Sequence, residues 1–285
     1  MANLKEIKNR ITSISSTMQI TSAMKMVSAA KLKKAQDAIT AMRPYAEKLS
    51  ELLQGLSASL EGDAGSQYTQ ERPVKNVLIV AITSNRGLAG AFNSNIIKAS
   101  KHLAGTLANS NVQFATLGKK GHDALQKEGD IALNNSAIFD DLSFENTAKI
   151  AEEIMNAFLE GRFDKVILVY NKFKNAATQD VITEQFLPIT SKTNTTTTSV
   201  DYIFEPTKEE IVETLIPKSL KTQLYKALRD SLASEHGARM TAMHKATDNA
   251  SELKDALTLD YNKARQAAIT GEILEIVGGA EALAG

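Results

Sequence analysis

The sequence predicts an α/β protein in which the two ends of the chain form a long antiparallel two-helix coiled coil, with a doubly wound α/β domain between them. Three observations lead to this prediction. Apolar residues recur at alternating steps of three and four from residue 4, strand and helix patterns alternate between residues 77 and 205, and a second long helical pattern follows residue 206. A small central domain cannot cover two such helices, so we expect them to pair with each other.

The amino-terminal segment, residues 1–58, is predicted to be the first helix of the coiled coil. Its apolar ladder comprises Leu4, Ile7, Ile11, Ile14 and Met18, and after a gap Ala35, Ala38, Met42, Tyr45, Leu49, Leu52 and Leu56. Between these two parts, Ile20, Met24 and Val27 are expected to carry the seam while its phase slips by three residues. Pro44 removes one helical hydrogen bond, so any break in the helix is expected near this position.

The central segment, residues 72–206, is predicted to be the α/β domain. Buried-strand runs at 77–82, 112–117 and 164–170 alternate with helical patterns at 93–107, 119–127 and 145–160. This β-α-β-α order predicts a mostly parallel, Rossmann-like sheet with helices on both faces. Residues 181–188 and 202–205 are expected to add antiparallel strands at an edge.

The carboxy-terminal segment, residues 207–285, is predicted to supply the second helix, which gives a discontinuous coiled-coil domain of residues 1–58 and 207–285. Pro217 is expected in the first turn of this helix, where its missing N–H group costs no hydrogen bond. An alanine recurs at every fourth residue from 238 to 250, which favours close approach of the partner helix.

Composition excludes several classes of function. The 33 basic and 33 acidic side chains balance, so the overall charge indicates neither a nucleic-acid partner nor an acidic substrate. The first 50 residues contain nine Lys or Arg against three Asp or Glu, which indicates an acidic partner for the first helix. The absence of cysteine excludes disulfides and thiol chemistry. The first residues contain no apolar signal segment, so we expect the chain to be made and used in a cytosol.

The residue patterns predict no catalytic residue, cofactor site or metal site. The loop at residues 83–93 lies between a strand and a helix, where a nucleotide-binding fold would hold phosphate, but it contains neither G-x-G-x-x-G nor G-K-[ST]. Gly87 and Gly90 indicate a tight structural turn instead, with a ligand site as the alternative. The four histidines match no metal-ligand spacing, and no G-x-S-x-G elbow is present for Ser-His-Asp catalysis.

A basic cluster on the first helix is the main candidate for contact with a partner. It comprises Lys25, Lys31, Lys33 and Lys34. With Arg239 on the opposite helix, it predicts a positive band around the coiled coil, which can meet several acidic partners in turn. The alternative is the ordinary solvated face of an amphipathic helix.

Long stretches at both ends of the chain carry a family resemblance. They are residues 20–36 (ITSAMKMVSAAKLKKAQ), 238–250 (ARMTAMHKATDNA) and 261–280 (YNKARQAAITGEILEIVGGA). These stretches are similar to the signature blocks of the gamma subunit family of F-type ATP synthases. Residues 83–90 (TSNRGLAG) also resemble the family's strand-to-helix loop, with Ala89 where many members have Cys. The resemblance therefore covers the whole chain in order.

The resemblance implies the central rotor shaft of a bacterial proton-translocating ATP synthase, with no chemistry or cofactor of its own. The implied partners are the alpha and beta subunits of the catalytic ring, the epsilon subunit and the membrane ring of c subunits. The implied location is peripheral, on the cytoplasmic side of the inner membrane.

The resemblance also implies which side chains contact which partner. Contact with the acidic lever loop of beta is implied for Met24, Lys25, Lys31, Lys33 and Lys34. Contact with beta loops higher up the shaft is implied for Arg265, Gln266 and Thr270. Residues 273–283 would form an apolar tip in its bearing, and Tyr202 would lie in the foot near the c ring and epsilon.

Two other classes of protein stay open on the sequence alone. A free-standing α/β nucleotide-binding protein with helical oligomerisation arms would bind a phosphate ligand as an isolated chain. A scaffold coiled coil would form homodimers, whereas the terminal helices here are complementary within one chain. Co-purification with a nucleotide-hydrolysing ring would exclude the first of these classes.

Overall fold

The computed structural model describes residues 4–58, 67–70, 72–107, 110–189 and 208–284. The helices and strands in these residues are, in order, α1 (Leu4–Ala58), β1 (Asn76–Ile82), α2 (Phe92–Thr106), β2 (Asn111–Leu117), α3 (Lys119–Leu125), β3 (Ile131–Asn134), α4 (Phe144–Leu159), β4 (Lys165–Phe173), β5 (Gln179–Leu187) and α5 (Lys208–Ala284). A short 3-10 helix at Ala137–Phe139 precedes α4.

The chain divides into two compact units. The first comprises Met1–Ser28 and Met240–Gly285, and the second comprises Ala29–Arg239. Both divisions fall inside the long helices α1 and α5, whereas the sequence places domain boundaries near the ends of the central α/β segment. Those sequence-based boundaries stay a prediction.

The strands form one sheet in the order β3-β2-β1-β4-β5. β1 is parallel to β2 and β4, β2 is parallel to β3, and β5 runs antiparallel to β4 at the edge. The predicted doubly wound sheet is therefore confirmed, together with the antiparallel edge strand expected at residues 181–188. β3 was not predicted, because its four residues alternate between half-buried and exposed positions and are too few to form a recognisable apolar pattern. The strand predicted at 202–205 lies outside the described residues.

Side chains of β1 enter two apolar layers, one on each face of the sheet. Leu78 and Ile82 pack with α4 and with residues 216–228 of α5. Val77 and Ile79 face the other way and pack with α2 and α3. Burial on both faces explains why β1 is a continuous apolar run rather than an alternating one. The early part of α5 thus belongs to the core of the second unit.

One face of α1 follows an unbroken heptad pattern from residue 7 to residue 49. Its positions are 7, 11, 14, 18, 21, 25, 28, 32, 35, 39, 42, 46 and 49, and each is buried or half-buried. The predicted phase slip is therefore wrong. Thr21 and Ser28 occupy the buried positions, while Ile20 and Val27 are 60% and 57% exposed. In this stretch polar residues are buried and apolar residues are exposed, so the apolar pattern predicts the wrong face of the helix.

Pro44 and Pro217 both lie inside long helices. α1 continues through Pro44, so the helix has no break there. α5 begins at Lys208, so the prediction that Pro217 lies in the first turn is wrong. Burial of Ile216 and Leu220 in the core beside the sheet offsets the cost of this interior proline, which is about 3 kcal/mol.

Across the described ranges, no helix is both long enough and apolar enough to cross a membrane. The same residues contain no group of three or more His, Asp or Glu side chains arranged to hold a metal ion.

Candidate partner-contact sites

The loop that joins β1 to α2, where doubly wound folds bind phosphate, is held by hydrogen bonds within the chain. Thr83 Oγ1 accepts a hydrogen bond from the Gly121 backbone N–H at 2.8 Å. Asn93 Oδ1 accepts one from the Ser84 backbone N–H at 2.9 Å. Gly90 has φ 56°, a left-handed conformation that glycine adopts without strain. These features fit the structural turn that the sequence favours.

The middle of α5 covers this loop. Arg239 Nη2 donates hydrogen bonds to the carbonyl oxygens of Arg86 and Gly87, each at 3.2 Å. Arg239 Nη1 also donates to Glu235 Oε1 at 2.5 Å, one helical turn away. The loop carbonyls therefore have a cationic partner from the chain's own helix.

Apolar contacts at the same place bring the helix close to the sheet. Ala238 of α5 packs against Ala89 and Phe92 of the loop region. A Cβ atom at Gly237 would lie 3.2 Å from the Ala176 Cα atom, in the turn between β4 and β5. Glycine thus lets α5 approach this turn more closely than another residue would. The crevice at the carboxyl ends of β1 and β4 is covered by α5.

Burial determines the electrostatics of this cluster. The side chains of Glu235 and Arg239 are 11% and 9% exposed. Burial raises the pKa of Glu235, although the Arg239 guanidinium opposes the shift. Burial also lowers the pKa of His236 to about 4, and the positive charges of Arg239 and Lys31 add to this effect. The exposed position expected for Arg239 is therefore corrected, because its charge is paired inside the second unit; contact between Arg239 and a partner stays a prediction.

The basic cluster of α1 contains two kinds of lysine. Its exposed members are Lys31, Lys33 and Lys34. Lys33 Nζ forms an ion pair with Asp37 Oδ1 at 3.0 Å. Lys25 is half-buried, and its Nζ lies 3.3 Å from His244 Nδ1. Met24, also half-buried, precedes this lysine next to the heptad face. The solvated lysines are available to an acidic partner, whereas Lys25 already contacts α5.

Within the first unit, α1 and α5 run antiparallel. Thr21 Oγ1 lies 2.8 Å from Thr247 Oγ1, and one turn further along α1 Lys25 meets His244. His244 Nδ1 also lies 3.4 Å from Asp248 Oδ2 on its own helix. Residue numbers rise along α1 while those of the contacting residues fall along α5. The predicted antiparallel pairing is confirmed for this unit.

A disulfide between the two helices is an expected result of this pairing. Thr21→Cys combined with Thr247→Cys should cross-link within one chain under mild oxidation, because hydroxyl groups 2.8 Å apart are compatible with disulfide geometry. Thr17→Cys combined with Thr247→Cys is the matched control, since Thr17 is exposed one turn away. Non-reducing electrophoresis and mass spectrometry of the full chain measure the products. Cross-links formed only between chains would contradict pairing within one chain.

The distal part of α5 presents polar and apolar side chains together. Arg265, Gln266 and Thr270 are exposed there, and their contact with beta loops stays a prediction. The exposed large apolar side chains in the same region are Ile269, Ile273, Leu274, Ile276, Val277 and Leu283. Exposed apolar surface of this density is typical of an interaction site. Tyr202, the remaining predicted contact residue, lies outside the described residues.

Sequence reasoning missed Thr21, Ser28 and Glu235. A heptad count continued from residue 18 would have placed Thr21 and Ser28 on the covered face despite their polarity. Glu235 precedes Arg239 by four residues, a spacing that brings two side chains together on a helix. Nothing in that spacing indicates that the pair is buried, because burial here depends on the loop after β1.

Known proteins resemble the chain over its whole length. A family model described as ATP synthase matches residues 3–283. Proteins named ATP synthase gamma chain from Flavobacterium psychrophilum and Flavobacterium johnsoniae are 68% and 69% identical over 286 residues, and all of each chain is covered. The protein of the same name from a Geobacter species is 45% identical over 288 residues, again with full coverage of both chains.

Solved structures also share the fold. A chain of the central stalk and c-ring of the Tetrahymena thermophila mitochondrial ATP synthase is 27% identical, with a TM-score of 0.61 over 80% of this chain and 99% of that one. A chain of the Euglena gracilis mitochondrial ATP synthase rotor is 22% identical, with a TM-score of 0.68 over 93% of this chain and 98% of that one. The second likeness concerns the fold alone.

Proposed function

Because this chain belongs to the family of ATP synthase gamma chains, we propose that it is the central rotor shaft of a proton-translocating F-type ATP synthase. The observation that carries the proposal is the full-length identity of 68% and 69% with proteins of that name. In this role the shaft turns with the ring of c subunits inside the ring of alpha and beta subunits. Its asymmetric pair of helices then takes each beta subunit through different nucleotide affinities.

The chain itself carries out no chemistry in this proposal. The loop after β1 makes its hydrogen bonds to other parts of the same chain. Helix α5 also covers the crevice in which a nucleotide-binding protein of this fold would hold its ligand. A free-standing nucleotide-binding protein is therefore poorly supported. Pairing of α1 and α5 within one chain likewise does not favour a homodimeric scaffold.

The exposed lysines suit contacts that must form and break at each rotary step. Lys31, Lys33 and Lys34 are exposed, and an ion pair between solvated side chains contributes about 0–1 kcal/mol. Contacts this weak can follow a passing acidic loop on beta without holding the shaft in one position. Arg239 is paired inside the second unit, and breaking that pair would leave a buried charge, so a partner contact of Arg239 would have to form with this pair intact.

The proposed partners are the alpha and beta subunits, the epsilon subunit and the c ring, and the proposed location is the cytoplasmic side of the inner membrane. Tagged chain extracted with detergent from membranes of the source cell should co-elute with these subunits and with ATP hydrolysis activity. Purified chain alone should not hydrolyse ATP. Elution of the chain without any of these subunits, or turnover by the pure chain at the rate of the complex, would overturn the proposal.

Met24→Lys is expected to lower the number of protons pumped per ATP hydrolysed. The new ammonium group would stand next to the heptad face of α1, where it could pair with a beta carboxylate in a partly desolvated interface. A pair of this kind is worth about 1–3 kcal/mol, and it would form in some rotary states and not in others. Such a pair stabilises some rotary states more than others. We therefore expect ATP hydrolysis to continue while its coupling to proton transport becomes less efficient. Membrane vesicles containing the assembled complex allow both rates to be measured.

Met24→Leu is the matched control, since it keeps the volume and adds no charge. It should leave the pumping ratio unchanged. An unchanged ratio in Met24→Lys, with normal assembly, would show that Met24 packs within the chain and does not face beta.

A further inference from the structure

A cavity in the second unit combines cations with a buried carboxylate. Its volume is about 280 Å³, and its lining residues are Ile39, Met42, Arg43, Lys172, Lys226 and Asp230. These residues come from α1, β4 and α5. None of them belongs to the predicted contacts with other subunits, so the cavity is a separate feature of the fold.

Asp230 is the residue that distinguishes this cavity from an ordinary basic surface. The residue is 3% exposed, and among the described residues no group donates a hydrogen bond to its Oδ1 atom. The Phe173 backbone N–H donates a hydrogen bond to the carboxylate. Burial raises the pKa of Asp230, while the charges of Lys226, Arg43 and Lys172 oppose that shift. A buried acceptor without a donor is unfavourable, so the cavity favours a ligand that donates a hydrogen bond to Oδ1.

Charge and hydrogen bonding together define the ligand. Three cationic side chains against one carboxylate leave a net charge of +2 among the described lining residues, which matches a dianion. The unpaired Oδ1 acceptor requires that this dianion also carries a proton. Hydrogen phosphate meets both requirements, because its charged oxygens can accept from Arg43, Lys172 and Lys226 while its P–OH group donates to Asp230.

We propose that this cavity binds a hydrogen phosphate ion between α1, β4 and α5. Sulfate and simple dicarboxylates have similar charge, but they have no proton to donate at neutral pH. A phosphate monoester loses its last proton near pH 6, so it also lacks the donor at pH 7.5. The carboxylate therefore selects free phosphate among common dianions. Bound phosphate would link three elements of the second unit, so free phosphate would stabilise their packing.

Calorimetric titration of the purified full chain with sodium phosphate tests the proposal, with sodium sulfate at equal ionic strength and pH 7.5 as the comparison. We expect one saturable phosphate site per chain and binding of sulfate at least tenfold weaker. Arg43→Gln and Lys172→Gln should each weaken phosphate binding about tenfold, because each removes a charged donor. Both residues are exposed at the rim, so the variants should keep the fold. Lys98→Gln, on the exposed side of α2, makes the same change in charge and should have no effect.

Asp230→Asn tests the selectivity directly. The amide can donate a hydrogen bond as well as accept one, so the preference for phosphate over sulfate should fall from at least tenfold to near one. If this variant does not fold, the Arg43 and Lys172 variants still decide the question. Equal binding of phosphate and sulfate by the unmodified chain, no saturable binding at millimolar phosphate, or an equal loss in Lys98→Gln would each overturn the proposal.

Discussion

Gly118→Ala is expected to destabilise the chain by about 4 kcal/mol or more, which is enough to prevent stable folding of a marginally stable domain. A Cβ atom at residue 118 would lie 2.2 Å from the carbonyl oxygen of Thr83. Residue 118 also has φ 119°, a conformation that L side chains rarely adopt. Rotation of a side chain cannot relieve the clash, because the blocking atom belongs to the backbone. Urea unfolding followed by circular dichroism measures the loss.

Gly105→Ala is the matched control within the same unit. Gly105 lies inside α2, and a Cβ atom there would have no neighbour within 4 Å. Alanine is a better helix former than glycine by about 1 kcal/mol, so this variant should be unchanged or slightly more stable. Similar unfolding midpoints for Gly118→Ala and Gly105→Ala would show that the turn after β2 tolerates a side chain.

The position of Gly118 explains why this turn matters for function. Thr83 N–H donates a hydrogen bond to the Leu117 carbonyl oxygen at 2.9 Å, and Thr83 Oγ1 accepts one from Gly121. These bonds join the turn after β2 to the loop after β1. Arg239 of α5 binds that same loop through the carbonyl oxygens of Arg86 and Gly87. A displacement of the backbone at residue 118 would therefore also disturb the contact between the loop after β1 and α5, one of the two helices of the proposed shaft.

The mostly parallel sheet was predictable because burial of its central strands on both faces makes their sequences continuously apolar. β1 is buried on both faces, so its sequence is an apolar run of strand length bounded by polar residues. The helices between the strands have amphipathic patterns, and the alternation then predicts parallel pairing. β3 was not predicted because an edge strand of four residues buries little apolar surface.

The sequence predicts that α1 has a heptad face, but it does not predict correctly which residues lie on that face between positions 20 and 28. Thr21 and Ser28 are buried as small polar side chains that bond to a helix partner or to the preceding turn, so they need no apolar neighbours. Ile20, Met26 and Val27 are exposed, and in the proposed shaft another subunit would cover them. An apolar pattern alone cannot tell a residue that is buried within the chain from one that a partner would cover.

The resemblance implies most of the candidate contact residues, while Arg239 follows from the charge pattern, and the structure adds where their side chains lie. Burial of Arg239 depends on the loop after β1, which is about 150 residues away in the chain. The reason for a glycine at position 237 is likewise a long-range one, the approach of α5 to Ala176. Arg265 is exposed, as are most of its neighbours in the distal part of α5.

Arg239→Met is expected to destabilise the second unit by about 3–5 kcal/mol, because it removes one partner of a buried ion pair and leaves the other without compensation. Glu235 would remain buried without its cation, and the carbonyl oxygens of Arg86 and Gly87 would lose their donor. The remaining carboxyl group would then be expected to take up a proton, which makes the loss smaller at low pH. Urea unfolding at pH 7.5 and pH 5 measures both effects.

Lys33→Met is the control, since it breaks another pair at the same helical spacing. The side chains of Lys33 and Asp37 are 76% and 63% exposed, so the loss should be about 0.5 kcal/mol or less. The double variant Glu235→Leu with Arg239→Met should be more stable than Arg239→Met alone, because no unpaired charge is left inside. If Arg239→Met costs no more than Lys33→Met, water reaches the Glu235 pair. The middle of α5 would then not be fixed over the loop after β1, and this loop would be open to a phosphate ligand.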